Sequence, residues 1–260
     1  MRIAFFNWRD IRNPHAGGAE VFVHQILRHL SRQGHKVTLF TSSFPGCVEH
    51  ELIDGVEHVR YGGRFLIYPK SYICYKRHIE GRYDVIVESI NGPPFFTVLF
   101  AKEKVVPFIH QLTRENWYSG ICLPLAFTGY HLEDSMLSLY RDRPALVPSQ
   151  STKSDLAALG FRDVSIIHGA ADVASTKGRG KAKAKTILYL GRLTRSKRVD
   201  HALRAFSIIR ESEADARLWI AGSGPEEERL KSLADDLGIS GSAEFFGRVS
   251  EGRKAELLSE

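Results

Sequence analysis

The order in which residue patterns change over the first 42 residues constrains this chain more than any other feature. Residues 2–7 (RIAFFN) form a short β-branched and aromatic run suited to a buried strand. A polar loop with Asn13-Pro14 and the pair Gly17-Gly18 follows. Over residues 19–32, Val21, Val23, Ile26, Leu27 and Leu30 recur at helical spacing. Gly34 stops that helix, and residues 36–41 (KVTLFT) read as a second strand. Strand, glycine loop, helix and strand make a βαβ unit. Its strands lie parallel, because the helix carries the chain back across the sheet.

The alternation continues. Residues 83–88 (YDVIVE), 104–110 (KVVPFIH), 145–149 (ALVPS) and 164–168 read as further strands. Helices are expected over 68–80, 120–141 and 149–159, the last opened by Ser and Thr, with Asp155 three residues after Thr152, and closed by Gly160. Beyond a basic run the pattern restarts, with strands at 186–191 (TILYLG), 217–221 (RLWIA) and 243–247 (AEFFG). Helices are expected at 199–211, 225–238 and from 250 onward. Pro225 and three glutamates open the second of these, which suits the positive end of a helix dipole. The fold class is therefore α/β, with a doubly wound domain over 1–172, a linker over 173–185 and a second domain over 186–260. Three strands and three helices are about half of a doubly wound domain, so the second domain is expected to be incomplete and the chain truncated within it.

At 43% hydrophobic and 10% aromatic residues the chain has the composition to fold around a core. The formal net charge is +6, and Lys177, Arg179, Lys181, Lys183 and Lys185 crowd into one run of Lys, Gly and Ala without an acid. That run has no aromatic residue to stack on bases, so it reads as a solvated linker and no nucleic-acid partner is expected. Cys47, Cys74 and Cys122 are odd in number, widely spaced and free of any C-x-x-C, which suits a reducing cytosol rather than a disulfide framework or zinc site. The N-terminal apolar run is too short for a signal peptide, and residues 92–101, with two prolines, fall short of the ~20 residues that span a bilayer. A cytoplasmic location follows. Residues 65–78 mix Phe, Ile, Tyr and Cys with Lys70, Lys76 and Arg77, which allows a peripheral contact with the inner face of a membrane. A sheet-packed helix with a basic edge accounts for the same residues.

Chemistry concentrates where strands hand over to helices. Gly17-Gly18 lies at such a point, where a glycine admits a ligand to the backbone and helix N-terminal amides suit a phosphate. Arg192 and Lys197 follow a restarted strand in GRLTRSK, at the carboxyl end where open α/β sheets bind ligands. Two cations there suit a diphosphate, although a solvated basic turn explains them as well. Gly222-Ser223-Gly224 repeats the strand, glycine and helix order but lacks the third glycine of a dinucleotide fingerprint, and no P-loop is present. His110 closes a strand ahead of a polar and aromatic loop, a position for a substrate contact or an acid/base group.

Four strings, AGGAE (16–20), VPSQSTKSDL (147–156), LYLGRLTRSKRVD (188–200) and WIAGSGPEEERL (219–230), resemble the family 4 retaining glycosyltransferases in family order. The resemblance implies a GT-B architecture of two Rossmann-like domains and transfer of a hexose from a UDP- or GDP-sugar to a glycan or lipid-linked acceptor, with retention at the anomeric carbon. By the same resemblance Gly17 and Gly18 admit the donor diphosphate, Arg192 and Lys197 hold it, and His110 lies beside the transferred sugar. Gly222 and Gly224 belong to the donor-side glycine loop, and Gly247 and Arg248 lie in the segment 246–248 that meets the nucleotide base. The family needs no metal or cofactor, since Arg and Lys stabilise the leaving group. Two departures stand out. Residues 168–172 read HGAAD where the family carries a Pro-Asn-Gly-Val-Asp-like turn, and the family's paired glutamates, seven residues apart, would lie beyond Glu260. A non-catalytic fragment that binds a nucleotide or a partner is the alternative those departures suggest. A nucleotide-sugar epimerase would need a Tyr-x-x-x-Lys together with a complete dinucleotide fingerprint, a combination this sequence lacks, while a sugar phosphorylase is not separated by motif.

Overall fold

The computed structural model describes residues 1–118, 122–169 and 184–260, and the chain divides into two compact units, Met1–Ala170 and Ala171–Glu260. The first contains β1 (Arg2–Phe6), α1 (Gly18–Arg32), β2 (Lys36–Ser42), β3 (His50–Ile53), β4 (Val56–Tyr61), α2 (Gly63–Leu66) and α3 (Ser71–Cys74). It continues with β5 (Val85–Ile90), β6 (Lys104–Ile109), α4 (Leu123–Ser138), β7 (Ala145–Val147), α5 (Gln150–Ala158) and β8 (Val164–Ile166). Its sheet has the order β3-β4-β2-β1-β5-β6-β7-β8. Only the β3–β4 pair is antiparallel.

The continuous apolar run of β1 has a simple cause: both faces of the sheet are covered. Ile3 and Phe5 pack on one side with Val23 and Leu27 of α1 and Val37 and Leu39 of β2. Ala4 and Phe6 pack on the other with Phe40, Ile86, Leu137 of α4 and Leu156 of α5. Burying each of these larger side chains is worth roughly 1.5–3 kcal/mol, so the alternation along β1 ties both layers to one strand.

The hairpin β3–β4 falls in a segment that the sequence patterns pass over. Its turn is Asp54-Gly55, with φ of 50° and 81°, the pairing of left-handed residues that a two-residue hairpin requires. The helix expected over 68–80 is divided, with α3 followed by one wide π turn, Tyr75–Ile79, that buries Tyr75 and Ile79. The strand expected at 83 begins at Val85, because the Asp84 carboxylate accepts the Arg2 amide at 2.7 Å instead of leaving it to the sheet. In α5 the cap is Ser149, whose Oγ accepts the Thr152 amide at 3.2 Å. Thr152 is itself buried and donates to the His110 carbonyl at 3.4 Å.

The second unit contains β9 (Thr186–Leu190), α6 (Val199–Ser212), β10 (Arg217–Ala221), α7 (Glu227–Asp236), β11 (Ala243–Gly247) and α8 (Glu251–Ser259). Its three strands are parallel in the order β11-β10-β9. Leu218 and Ile220 of β10 meet Val199, Leu203 and Phe206 of α6 and Leu230 and Ala234 of α7. Helix α7 starts later than the Pro225 signal suggests, since the Glu226 amide donates to the Leu193 carbonyl at 3.1 Å and stays with the loop. The basic linker expected over 173–185 lies outside the described residues up to 183, as does the departure at 170–172, and Lys185 pairs with Glu213 at 2.5 Å.

Candidate functional site

In the first sheet β1 has β2 on one side and β5 on the other, so the chain reverses direction of winding at β1. Ligands of open α/β sheets bind beyond the carboxyl ends of strands at such a point. The loop after β1 is shaped by Asp10, which is buried and accepts the Arg12 and Asn13 amides at 2.9 and 3.1 Å. Arg60 Nε donates to the same carboxylate at 2.6 Å, and His58 Nδ1 lies 3.3 Å away. Burial works to raise the Asp10 pKa, but the bonds from His58 and Arg60 outweigh it and hold the carboxyl below its ordinary range. Further along, the Glu20 carboxylate accepts the Gly17 amide at 2.6 Å, the reaching-back arm of a capping box. Gly18 opens α1 and is exposed. A Cβ there would meet nothing within 4 Å, so packing does not require glycine at this position.

Two further carboxylates hold the loops after β5 and β6. Glu88, wholly buried, accepts the amides of Phe95 at 2.5 Å, Phe96 at 3.1 Å and Thr97 at 3.0 Å. The Tyr140 hydroxyl donates to it at 2.8 Å, and the Thr97 hydroxyl donates as well. Burial raises the Glu88 pKa in spite of these bonds. Glu133 of α4 accepts the Thr113 and Arg114 amides at 2.5 and 2.9 Å. His110, between these loops, donates its amide to the Ile90 carbonyl at 3.0 Å. Its Nε2 lies 2.9 Å from the Ser89 hydroxyl and its ring 4.4 Å from the Phe108 ring centre. Burial pushes the His110 imidazole down to about 4, so the ring is neutral at pH 7.

At the carboxyl edge of the second sheet the loops are joined by backbone alone. The Gly191 amide donates to Ala221 and the Leu193 amide to Ser223, both at 3.0 Å, and the Gly222 amide donates to Gly247 at 2.8 Å. A Cβ on Gly222 would fall 1.8 Å from the Gly191 carbonyl oxygen, and one on Gly224 would fall 2.2 Å from that of Leu193. Both glycines are therefore demanded by packing, whatever else they do. Arg192 and Lys197 are exposed beside this seam, and among the described residues neither side chain has a hydrogen bond or ion pair. Arg248 is exposed one residue past Gly247, whose own Cβ position is open. The preceding Phe246 is held edge-on to Trp219, with ring centres 5.8 Å apart, and lies 5.6 Å from the Arg253 guanidinium.

The sequence candidates thus sort by unit. Gly17, Gly18 and His110 share the carboxyl edge of the first sheet, while Arg192, Lys197, Gly222, Gly224, Gly247 and Arg248 share that of the second. No cluster of three or more His, Cys, Asp or Glu side chains among the described residues is placed to hold a metal ion. Sequence reading passed over Asp10, Glu88 and Glu133. Of these only Glu88 carries a signal, as an acid closing the apolar run YDVIVE.

The model described as Glycosyltransferase Family 4 matches residues 16–175, and that of Glycosyl transferases group 1 matches 174–260. This chain belongs to glycosyltransferase family 4. An uncharacterized glycosyltransferase of Haemophilus influenzae is 39% identical over 71 residues, 27% of this chain and 20% of that protein. An exopolysaccharide phosphotransferase of Streptomyces coelicolor is 39% identical over 69 residues, 26% of this chain and 7% of that one. The chain therefore spans a fifth or less of these relatives. Among solved structures, WaaG, a glycosyltransferase involved in lipopolysaccharide biosynthesis, superposes with a TM-score of 0.70 at 16% identity, covering 98% of this chain and 72% of WaaG. Anabaena HepE in complex with UDP and glucose gives 0.65 at 15% identity, covering 100% and 72%. The fold of this family 4 chain is accordingly that of the GT-B glycosyltransferases.

Two outcomes follow for the purified chain. Gly224→Ala and Gly222→Ala should each lower thermal stability by more than about 2 kcal/mol through backbone overlap, whereas Gly18→Ala should change it by less than about 1 kcal/mol. Equal melting of all three variants would mean that the seam is looser than described. His110 binds a proton in the unfolded chain near pH 6.5 but in the folded one only near 4, so it removes stability as pH falls through that window. Melting curves of His110→Gln should show a shallower loss between pH 6.5 and 4 than wild type, and parallel curves would count against the half-buried, neutral ring.

Proposed function

We propose that this family 4 chain is a retaining glycosyltransferase that moves a hexose from a UDP- or GDP-sugar to a glycan or lipid-linked acceptor. The observation that carries the reading is the pair Arg192 and Lys197, exposed and with side chains that have no hydrogen bond or ion pair among the described residues, at the carboxyl edge of the second sheet. Breaking the bond between the anomeric carbon and the donor diphosphate leaves an extra negative charge on the departing phosphate. Arg192, with its planar fork, and Lys197, as a point charge, are the groups that would take up that charge, with no metal or other cofactor required. Gly222, Gly224, Gly247 and Arg248 would line the donor's nucleotide side. Phe246, fixed between Trp219 and Arg253, supports that placement.

On the first unit, Gly17 and Gly18 would let the diphosphate approach the start of α1, which the open space above Gly18 supports. His110 would sit beside the transferred sugar as a neutral imidazole, able to donate or accept a hydrogen bond but not to repel a cationic anomeric centre. No described helix is long and apolar enough to cross a membrane. Exposed Phe65, Leu66, Tyr72 and Ile73 near Lys70, Lys76 and Arg77 support work at the inner face of a membrane in the cytoplasm, where a lipid-linked acceptor is met.

The test is nucleotide binding and transfer by the full chain in the presence of EDTA. UDP or GDP should bind, and Arg192→Gln and Lys197→Gln should each weaken binding about 10-fold and lower kcat/KM on the matching nucleotide-sugar about 100-fold. Absence of binding by either nucleotide, or variants that bind and turn over like wild type, would refute the assignment.

A further inference from the structure

The register of β5 and β6 brings a serine and a histidine together at the carboxyl edge of the first sheet. Ser89 pairs with Phe108, and the His110 amide extends the ladder by donating to the Ile90 carbonyl at 3.0 Å. Side chains alternate along a strand, so Ser89, Phe108 and His110 stand on one face. That face is the one α1 covers, since Phe108 packs with Val23 and Leu27 and meets the Phe22 ring edge-on at 5.7 Å. The Ser89 hydroxyl lies 2.9 Å from His110 Nε2, and the Phe108 ring backs the imidazole at 4.4 Å. The Thr152 hydroxyl donates to the His110 carbonyl at 3.4 Å, so backbone, ring face and Nε2 are all held.

The direction of the Ser89–His110 bond follows from the donors that must be satisfied. Ser89 is 3% exposed, and among the described residues its hydroxyl has no partner besides His110. If Nε2–H donated to Oγ, the hydroxyl hydrogen would be buried with no acceptor, a costly way to leave a polar group. If Oγ–H donates to Nε2, that hydrogen is used and the imidazole hydrogen sits on Nδ1. Nδ1 has no partner among the described residues and is not sealed from solvent, so an N–H there keeps its hydration. Burial pushes the imidazole down to about 4, so near neutral pH the ring carries one hydrogen and exists as one tautomer or the other.

We propose that Ser89 is a positioning residue for the transfer: its hydroxyl donates to His110 Nε2, which fixes the Nδ1–H tautomer and makes the open ring nitrogen a hydrogen-bond donor. The group met there is then an acceptor, a hydroxyl oxygen of the transferred sugar. This rests on the reading of His110 as the residue beside that sugar. A serine holds the ring without drawing a second proton onto it, as a carboxylate in the same place would. The imidazole therefore stays neutral beside a centre that develops positive charge.

The experiment is NMR of the imidazole nitrogens in the isotope-labelled full chain at pH 7, with His110 assigned by the loss of its signals in His110→Gln. Nδ1 should be protonated and Nε2 unprotonated but hydrogen-bonded, and in Ser89→Ala the Nε2 signal should lose the shift that this bond produces. Ser89→Ala should also lower kcat on the matching nucleotide-sugar about 10-fold while free UDP or GDP binds as in wild type, and Ser89→Thr, which keeps the hydroxyl, should recover most of the rate. A wild-type ring protonated on Nε2, a Ser89→Ala spectrum like that of wild type, or a variant that loses the bond and keeps its rate would each overturn the proposal. If wild type neither binds nucleotide nor transfers sugar, the donor reading fails on its own, and the tautomer in the spectrum still decides the Ser89–His110 bond. Should Ser89→Ala not fold, Ser89→Cys, similar in size with a far weaker donor, takes its place in both measurements.

Discussion

The carboxyl edge of the first sheet depends on buried carboxylates that accept backbone N–H groups. Parallel strands end there in loops whose amides have no strand to pair with, and a buried amide left unpaired is costly. Asp10, Glu88 and Glu133 each take at least two such amides, one carboxylate for each of the loops after β1, β5 and β6. The bonds also hold backbone that would otherwise relax. Phe96 and Arg114, with φ of 59° and 45°, are the residues whose amides Glu88 and Glu133 accept. A left-handed conformation costs a non-glycine residue about 1–2 kcal/mol, comparable to what one charge-assisted bond returns. Asp10 has the Arg60 charge beside it as well, whereas Glu88 relies on amides and hydroxyls, which is consistent with its raised pKa.

The second sheet solves the same problem differently. Its loops are joined backbone to backbone, and the close approach is possible only because Gly222 and Gly224 lack a Cβ. No side-chain acid is spent there, so Arg192 and Lys197 keep their charge toward solvent. The first unit buries its acids around loop amides and the second leaves cations exposed. For the second unit the proposed ligand is the donor diphosphate, which those exposed cations suit.

Much of the fold was legible because a parallel sheet covered on both faces writes itself as short apolar runs separated by helical stripes, as in RIAFF and KVTLF. The hairpin β3–β4 was missed although Asp54-Gly55 is a turn signal, because β4 extends the sheet without a crossover helix and so breaks the alternation being followed. Gly18, Arg192 and Lys197 were readable as strings. The structure adds that Gly18 is not needed for packing, while Gly222 and Gly224 are. Asp10 and Glu133 could not be found from sequence, since a carboxylate that accepts distant loop amides has no fixed spacing to its partners.

The account holds that this edge is built before any ligand binds, so amide hydrogen exchange of the nucleotide-free chain addresses it most directly. The amides of Phe95, Phe96, Thr97, Thr113 and Arg114 should exchange as slowly as those of β5 and β6, because each is closed onto a buried carboxylate. Exchange at the rate of an open loop, slowed only when UDP or GDP is added, would show instead that the ligand creates the geometry and would contradict the account.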